Sequence, residues 1–205
     1  AVITLLLFLL SGLGTIGQAQ SGKQKDHLGN TYSWSPTEIK KINPNEPVVF
    51  SWQNPAGGNI SWVDPSDPFR IVAFSKETNT IHQLNNKLSP IGDPILLDEI
   101  NQYDVIAACR AKKGGFWVLD QSKQSLINLS ANLSIQSQTS VTVPYLDDDE
   151  TSIQMIEYHQ NLLLLIPSHS LIIFDLFGSR INIITTEAEQ LQLSPDGLLL
   201  YSHKD

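Results

Sequence analysis

The stretch ISWVDPSDPFRIVAFSKETNTIHQLN, residues 60–85, contains three short apolar runs separated by polar turns. The runs are ISWVD at 60–64, RIVAFS at 70–75 and TIHQLN at 80–85. Short runs rich in β-branched and aromatic residues, bounded by Pro, Asp, Asn and Ser, are typical of β-strands. Only the residues KETN separate the second run from the third, which is short enough for a hairpin. The stretch therefore predicts consecutive antiparallel strands.

The third run recurs along the chain at a nearly constant period. The hexamers EIKKIN, TIHQLN, SLINLS and SLIIFD start at residues 38, 80, 125 and 170, so their separations are 42, 45 and 45 residues. A strand-like run precedes each hexamer, and a more polar run such as IQSQTSVTV (135–143) follows it. Helical spacing of apolar residues is nearly absent after residue 20. Four antiparallel strands in each repeat of about 40–50 residues is the pattern of a β-propeller blade.

We therefore predict an all-β fold, a β-propeller with four-stranded blades of about 45 residues. The predicted blades span approximately 29–58, 59–98, 103–144 and 152–188, with a partial blade at 189–205. This arrangement predicts an incomplete ring of about four and a half blades, in which the blades form an open arc. A β-sandwich, which is also built from regularly spaced short strands, is the alternative.

The first residues, AVITLLLFLLSGLGTIGQAQ, resemble a secretion signal. An apolar run is followed by small residues, and Gly17 and Ala19 fit signal-peptidase cleavage after Ala19. The run lacks an initiating Met and a basic start, which suggests a truncated N-terminus, and a signal-anchor is the rival interpretation. We predict a signal peptide at 1–19, a mature N-terminal segment at 20–28, and export to the periplasm, the cell surface or the medium.

The overall charge narrows the classes of partner. The chain has 205 residues and a formal net charge of −8. Nucleic-acid binding and docking on anionic lipid both require clustered Lys and Arg, and no long basic run is present. We expect no nucleic-acid partner and no stable membrane span after signal cleavage.

Several motifs are similar to those of known propellers. The segment LSPDGLLLYS (193–202) resembles the Ser-Pro-Asp-Gly turn of YVTN and TolB-type blades. The chain thus resembles the β-propeller superfamily of the NHL, YVTN and WD40 kind, although the Gly-His and Trp-Asp landmarks of WD40 repeats are missing. DPFRIVAF, GGFWVLD and IIFDLFG also resemble uncharacterised exported bacterial propeller proteins. The resemblance covers residues 26–205 and implies a fold, not an activity.

The acidic and nucleophilic residues predict no catalytic centre. Asp64 and Asp67 each precede Pro, which favours a turn between two strands over a catalytic or metal-binding pair. The acidic run YLDDDE (145–150) lacks the Gly and the alternating spacing of a calcium loop. The five histidines are scattered, and the single Cys109 lies in an apolar run typical of a buried position. We predict no catalytic, cofactor-binding or metal-binding residues and no cofactor.

The aromatic residues carry a binding hypothesis. Trp52 and Trp62 flank the Gly-rich segment QNPAGGNIS, which contains Asn59. Exposed aromatic side chains around such a loop could contact an unknown protein or glycan, whereas packing between blades is the alternative role. The predicted function is that of an exported interaction module. A propeller enzyme or carbohydrate-active protein, with a site assembled from several blades, is the alternative.

Overall fold

The computed structural model describes residues 21–45, 49–144, 153–194 and 197–201. Four antiparallel sheets of four strands follow one another along the chain, and a two-stranded sheet comes last. In each full sheet the strands lie side by side in chain order, as successive hairpins require. We name the sheets blades 1 to 4 and the half blade.

The strands of blade 1 are β1 (Gly22–Lys25), β2 (Thr31–Trp34), β3 (Glu38–Ile42) and β4 (Val49–Gln53). Blade 2 contains β5 (Trp62–Asp64), β6 (Ile71–Ser75), β7 (Thr80–Leu84) and β8 (Ile95–Leu96), followed by a 3₁₀ turn at Leu97–Ile100. Blade 3 contains β9 (Val105–Arg110), β10 (Phe116–Asp120), β11 (Ser125–Leu129) and β12 (Ile135–Ser140). Blade 4 contains β13 (Gln154–Tyr158), β14 (Asn161–Ile166), β15 (Ser170–Asp175) and β16 (Arg180–Thr185). The half blade contains β17 (Gln190–Ser194) and β18 (Gly197–Tyr201).

The first strands of the blades lie around a common axis. The strands β5 and β9, β9 and β13, and β1 and β5 are in contact, and β5 also contacts β13 across the axis. Separate sheets arranged radially form a propeller and not a sandwich, so the predicted fold is confirmed. Strand β1 lies within the segment 20–28, which the sequence left outside the blades because GKQK has no apolar alternation.

The half blade meets blade 1, so the predicted open arc is corrected to a closed ring. Strand β17 contacts β1, and the buried amide of Gln24 bonds to the main chain of β17 on both sides. Its Nε2 donates to the carbonyl oxygen of Leu191, and its Oε1 accepts a hydrogen bond of 3.1 Å from the N–H of Leu193. Gln190 returns a hydrogen bond to the carbonyl oxygen of Lys23. These contacts were not predictable from spacing, because polar side chains make them.

Burial decreases from the inner to the outer strands. Every residue of β6 and of β10 is buried, whereas every residue of β16 is exposed. Each fully buried Ile or Phe contributes about 1.5–3 kcal/mol to the hydrophobic free energy of folding. The apolar second strands therefore hold neighbouring blades together, as their sequences predicted.

The inner edge of each blade has no further strand of its own sheet to pair with. Side chains from a neighbouring blade bind this edge instead. The carboxylate of Asp64 in blade 2 accepts a 2.9 Å hydrogen bond from the N–H of Arg110 in blade 3. Glu157 in blade 4 binds blade 3 beyond this edge: it accepts a 3.1 Å bond from the N–H of Lys112 in the turn after β9 and a 3.0 Å bond from Nε1 of Trp117 on β10. Gln154 accepts a bond from the N–H of Leu191 in the half blade, at 2.8 Å.

In the part of the chain that the structure describes, no helix is long and apolar enough to cross a membrane.

We predict that Asp64→Asn lowers the free energy of unfolding by about 1–3 kcal/mol, because an amide leaves one of two buried N–H groups facing another donor. Those N–H groups belong to Ser66 and Arg110. Asp67→Asn is the matched control from the same turn. It breaks a partly exposed ion pair with Arg110, and the amide oxygen can still accept the 3.0 Å hydrogen bond from the N–H of Phe69, so its cost should stay below about 1 kcal/mol. Urea unfolding followed by tryptophan fluorescence measures both; equal losses would contradict the role of Asp64.

The imidazole of His82 predicts a pH dependence of stability. It lies against the Trp52 ring, with ring centroids 4.9 Å apart, and its Nε2 is buried without a hydrogen-bond partner. Burial lowers the pKa of His82 from its ordinary value of 6.5. At a given pH, His82 is therefore protonated to a smaller extent in the folded chain than in the unfolded chain. The free energy of unfolding falls as the pH falls below 6.5.

Replacement of His82 by Phe keeps a ring against Trp52 and removes the titration. Between pH of about 8 and about 5, the wild type should lose stability relative to H82F in urea unfolding. The exposed His27, changed to Gln, serves as the control and should track the wild type. A constant difference between the wild type and H82F would refute this dependence.

Candidate functional site

The two tryptophans predicted to contact a partner are buried. Trp62 is only 2% exposed, and its Nε1 donates a 2.9 Å hydrogen bond to the carbonyl oxygen of Met155 in blade 4. It also meets Trp34 edge-on, with ring centroids 5.8 Å apart. Trp52 is 7% exposed and packs on His82. Both indoles therefore pack between blades, which is the alternative role that the sequence left open, and Trp62 occupies the axis between blades 2 and 4.

Asn59, the third predicted contact residue, is exposed. Its backbone N–H donates a 2.9 Å hydrogen bond to the carboxylate of Glu77, and its carbonyl accepts one of 2.8 Å from the hydroxyl of Ser75. The loop that carries Asn59 is thus fixed to blade 2. A contact between the Asn59 side chain and a partner stays a prediction.

Asp64 and Asp67 lie in the turn between β5 and β6, where the sequence placed them. Asp64 is fully buried, and burial raises the pKa of its carboxyl above the usual value. Asp67 is partly exposed, and its Oδ2 lies 3.1 Å from Nη2 of Arg110. Asp64 thus binds the backbone N–H groups of Ser66 and Arg110, whereas Asp67 binds the Arg110 side chain, and the two carboxylates do not form an acid pair.

The other candidate groups do not form a site in the described residues. The acidic run 145–150 lies outside them, and no cluster of three or more His, Cys, Asp or Glu in the described part could hold a metal ion. Cys109 is buried, and burial raises the pKa of its thiol well above the usual value. A buried thiol of high pKa is a poor nucleophile.

The turns between the first and second strands of blades 1 to 4 lie side by side at one end of the axis. Asp67 in the blade 2 turn pairs with Arg110, and Lys112 in the blade 3 turn donates a 3.3 Å hydrogen bond to the carbonyl of His159 in the blade 4 turn. We call the surface formed by residues 27–29, 66–70, 110–115 and 159–160 the inner-turn face.

Large side chains and cations are exposed on the inner-turn face. Phe69 is 61% exposed and Leu28 is 54% exposed. Arg70, Lys112 and Lys113 are exposed as well. A face that presents both apolar and cationic groups to solvent has the composition of an interaction surface.

The geometry of the blade 3 turn presents its two lysines. Gly114 and Gly115 have positive φ values of 92° and 84°, and a Cβ on Gly115 would collide with the carbonyl oxygen of Leu129. Only glycine adopts this backbone at no steric cost. The sequence KKGG therefore fixes a tight turn with Lys112 and Lys113 at its tip.

The opposite end of the axis carries the turns between second and third strands and the connections between blades. Its exposed carboxylates are Glu77, Asp98, Glu99, Asp104, Glu187 and Glu189. Lys123 at this end bonds within the protein: its Nζ lies 2.8 Å from Oε1 of Gln102. Among the described residues, the inner-turn face therefore exposes cations, whereas the turns and connections at the opposite end carry most of the exposed carboxylates.

Some residues of the inner-turn face were recognisable from the sequence. Alignment of the repeats places Lys112, Lys113 and His159 in equivalent turns, but their residue types match no catalytic set. Phe69 and Arg70 were hidden within an apparent strand start, FRIVAF, and only the turn geometry shows that they are exposed.

No protein-family model matches the chain, and no curated protein matches it. Solved structures do match. A protein of unknown function from Bacteroides caccae is 12% identical, with a TM-score of 0.52, and the match covers 83% of this chain and 62% of that one. Virginiamycin B lyase from Staphylococcus aureus is 10% identical, with a TM-score of 0.56 and coverage of 91% and 64%.

A third match is BBS1N in complex with ARL6DN, at 10% identity and a TM-score of 0.54, with coverage of 89% and 61%. The chain thus spans less than two thirds of the length of each of these three structures. Identities this low show a shared fold alone. Together with four radial four-stranded sheets, they show that the chain has a β-propeller fold.

Proposed function

We propose that this protein is an exported interaction module that binds a protein or a glycan through its surface turns. One observation carries the proposal. The buried polar side chains near the axis, such as Asp64, Gln154 and Glu157, bond to neighbouring blades. The exposed charged and apolar side chains, such as Arg70, Lys112 and Phe69, lie on turns, where they can contact a partner.

The comparisons support this class of function without specifying it. One structural neighbour, BBS1N, was solved in complex with ARL6DN, and another is virginiamycin B lyase. The same fold therefore serves both binding and catalysis. The choice between an interaction module and an enzyme rests on the residues of the site.

A propeller enzyme is the second candidate, because Asp67 and Arg110 from different blades meet on the inner-turn face. Their 3.1 Å ion pair engages each group with the other. An enzyme would require a substrate that separates them. The interaction module requires no such rearrangement.

Export is supported by the apolar run and the small residues before Ala19. The proposal places the mature protein in the periplasm, on the cell surface or in the medium.

The test is production of the chain, with an added initiator Met and basic start, in a bacterium with a secretion pathway. We expect the protein in the exported fraction with Gln20 as its first residue, measured by mass spectrometry. The mature protein should then form a saturable complex with a purified exported protein or glycan from its source, measured by calorimetry.

Retention of residues 1–19 in a cytoplasmic product would contradict export. Turnover of a small substrate that is lost in Asp67→Asn, with folding intact and no stable complex, would favour the enzyme over the interaction module. Asn59→Ala tests the remaining predicted contact residue in the same assay.

A further inference from the structure

We propose that the inner-turn face binds an acidic polypeptide segment that carries an apolar side chain. This inference rests on the proposed function and names the surface and the chemistry of the partner. It departs from the overall charge of −8, which by itself favours basic partners.

The first argument is the separation of charge along the axis. The inner-turn face exposes Arg70, Lys112 and Lys113, and Arg110 lies beside them, partly exposed. Asp67 is its one partly exposed carboxylate and is already paired with Arg110. Because the described residues of the opposite end include six exposed carboxylates, an acidic ligand is steered to the inner-turn face and repelled from the other.

The second argument concerns the buried carboxylates beneath this face. Asp26 accepts hydrogen bonds from two backbone N–H groups, from the Asn30 side chain and from the hydroxyl of Tyr32. Asp64 and Glu157 are likewise bonded to backbone donors. They reduce the positive potential without presenting oxygen atoms to solvent. The face therefore fits a short acidic segment with a few carboxylates better than a long polyanion.

The third argument is the position of the apolar side chains. Phe69 and Leu28 belong to the turns of adjacent blades, and both are more than half exposed. Arg70 follows Phe69 directly, so an apolar contact and a carboxylate contact would lie side by side. An aromatic contact surrounded by charges is a common source of binding energy in protein interfaces.

Other anionic partners fit less well. Anionic polysaccharides and nucleic acids offer charge without an apolar side chain for Phe69. A lipid surface would also meet the outer turns at this end, where the carboxylates of Asp93 and Asp175 lie near the exposed Ile91 and Phe177. The anionic vesicles in the test below distinguish such a surface from a polypeptide. An extended acidic polypeptide supplies both kinds of contact at once.

The test uses the purified exported protein and a short fluorescent peptide of alternating Glu and Phe. Fluorescence anisotropy measures its affinity for the wild type, for Lys112→Glu with Lys113→Glu, and for Lys40→Glu with Lys76→Glu. The two double variants change the net charge equally, and Lys40 and Lys76 lie away from the face. We expect a loss of at least about tenfold in the first variant and below about threefold in the second.

Two further measurements separate apolar from charge contacts. Phe69→Ser should weaken the peptide severalfold, and a peptide with Ser in place of Phe should be insensitive to this change. Circular dichroism checks that each variant is folded. Equal losses in both double variants would show a bulk charge effect and overturn the proposal.

The remaining arms test the other polyanions with heparin oligosaccharide, single-stranded DNA and vesicles containing phosphatidylserine. Tighter binding of any of these than of the peptide would overturn the proposal. A natural complex that forms but tolerates the Lys112 and Lys113 changes would overturn it as well, and would leave the interaction module standing. Absence of any complex would count against both.

Discussion

The inner edge of each blade is the constraint on which the rest of the structure depends. A strand at the edge of a sheet presents unpaired N–H and C=O groups, which must find partners when they are buried. In this ring, side chains of other blades supply such partners: Asp64 binds β9, Gln154 and Gln24 bind β17, and Gln190 binds β1. Trp62 contributes in the same way, through the carbonyl of Met155. Each such bond fixes the distance between two blades and satisfies a buried polar group at the same time.

This use of the interior determines where function can lie. Asp64, which looks catalytic in the sequence, accepts hydrogen bonds from the backbone N–H groups of Ser66 and Arg110. The side chains of Phe69, Leu28 and Lys113 have no such task in the core, and they are exposed. The exposed cations of the inner-turn face and the exposed carboxylates of the opposite end give the two ends of the axis different surface charge, which the net charge of −8 does not reveal.

The repeat predicted the fold well because hydrophobic spacing and turn residues are local. The runs RIVAFS and GFWVLD are buried on both sides, and IQSQTSVTV contains an exposed outer strand, as their compositions indicated. Strand β1 was missed because its residues GKQK are polar. Its place at the axis is explained by Gln24, whose side chain bonds to the main chain of β17. The site was less predictable, because the exposure of Trp52, Trp62 and Phe69 depends on the packing of blades that are far apart in sequence. A tryptophan beside a Gly-rich loop has the same sequence signature in either environment.

The most direct test of this account is hydrogen exchange at the amides that other blades bind. Four N–H groups lie outside the ladders of their own blades, those of Arg110, Lys112, Leu191 and Leu193. Each donates its hydrogen bond to a side chain across a blade boundary. If those bonds hold the ring together, these four amides exchange as slowly as the central strands β6 and β10. Exchange as fast as in an exposed turn, with β6 and β10 still protected, would contradict the closed ring described here.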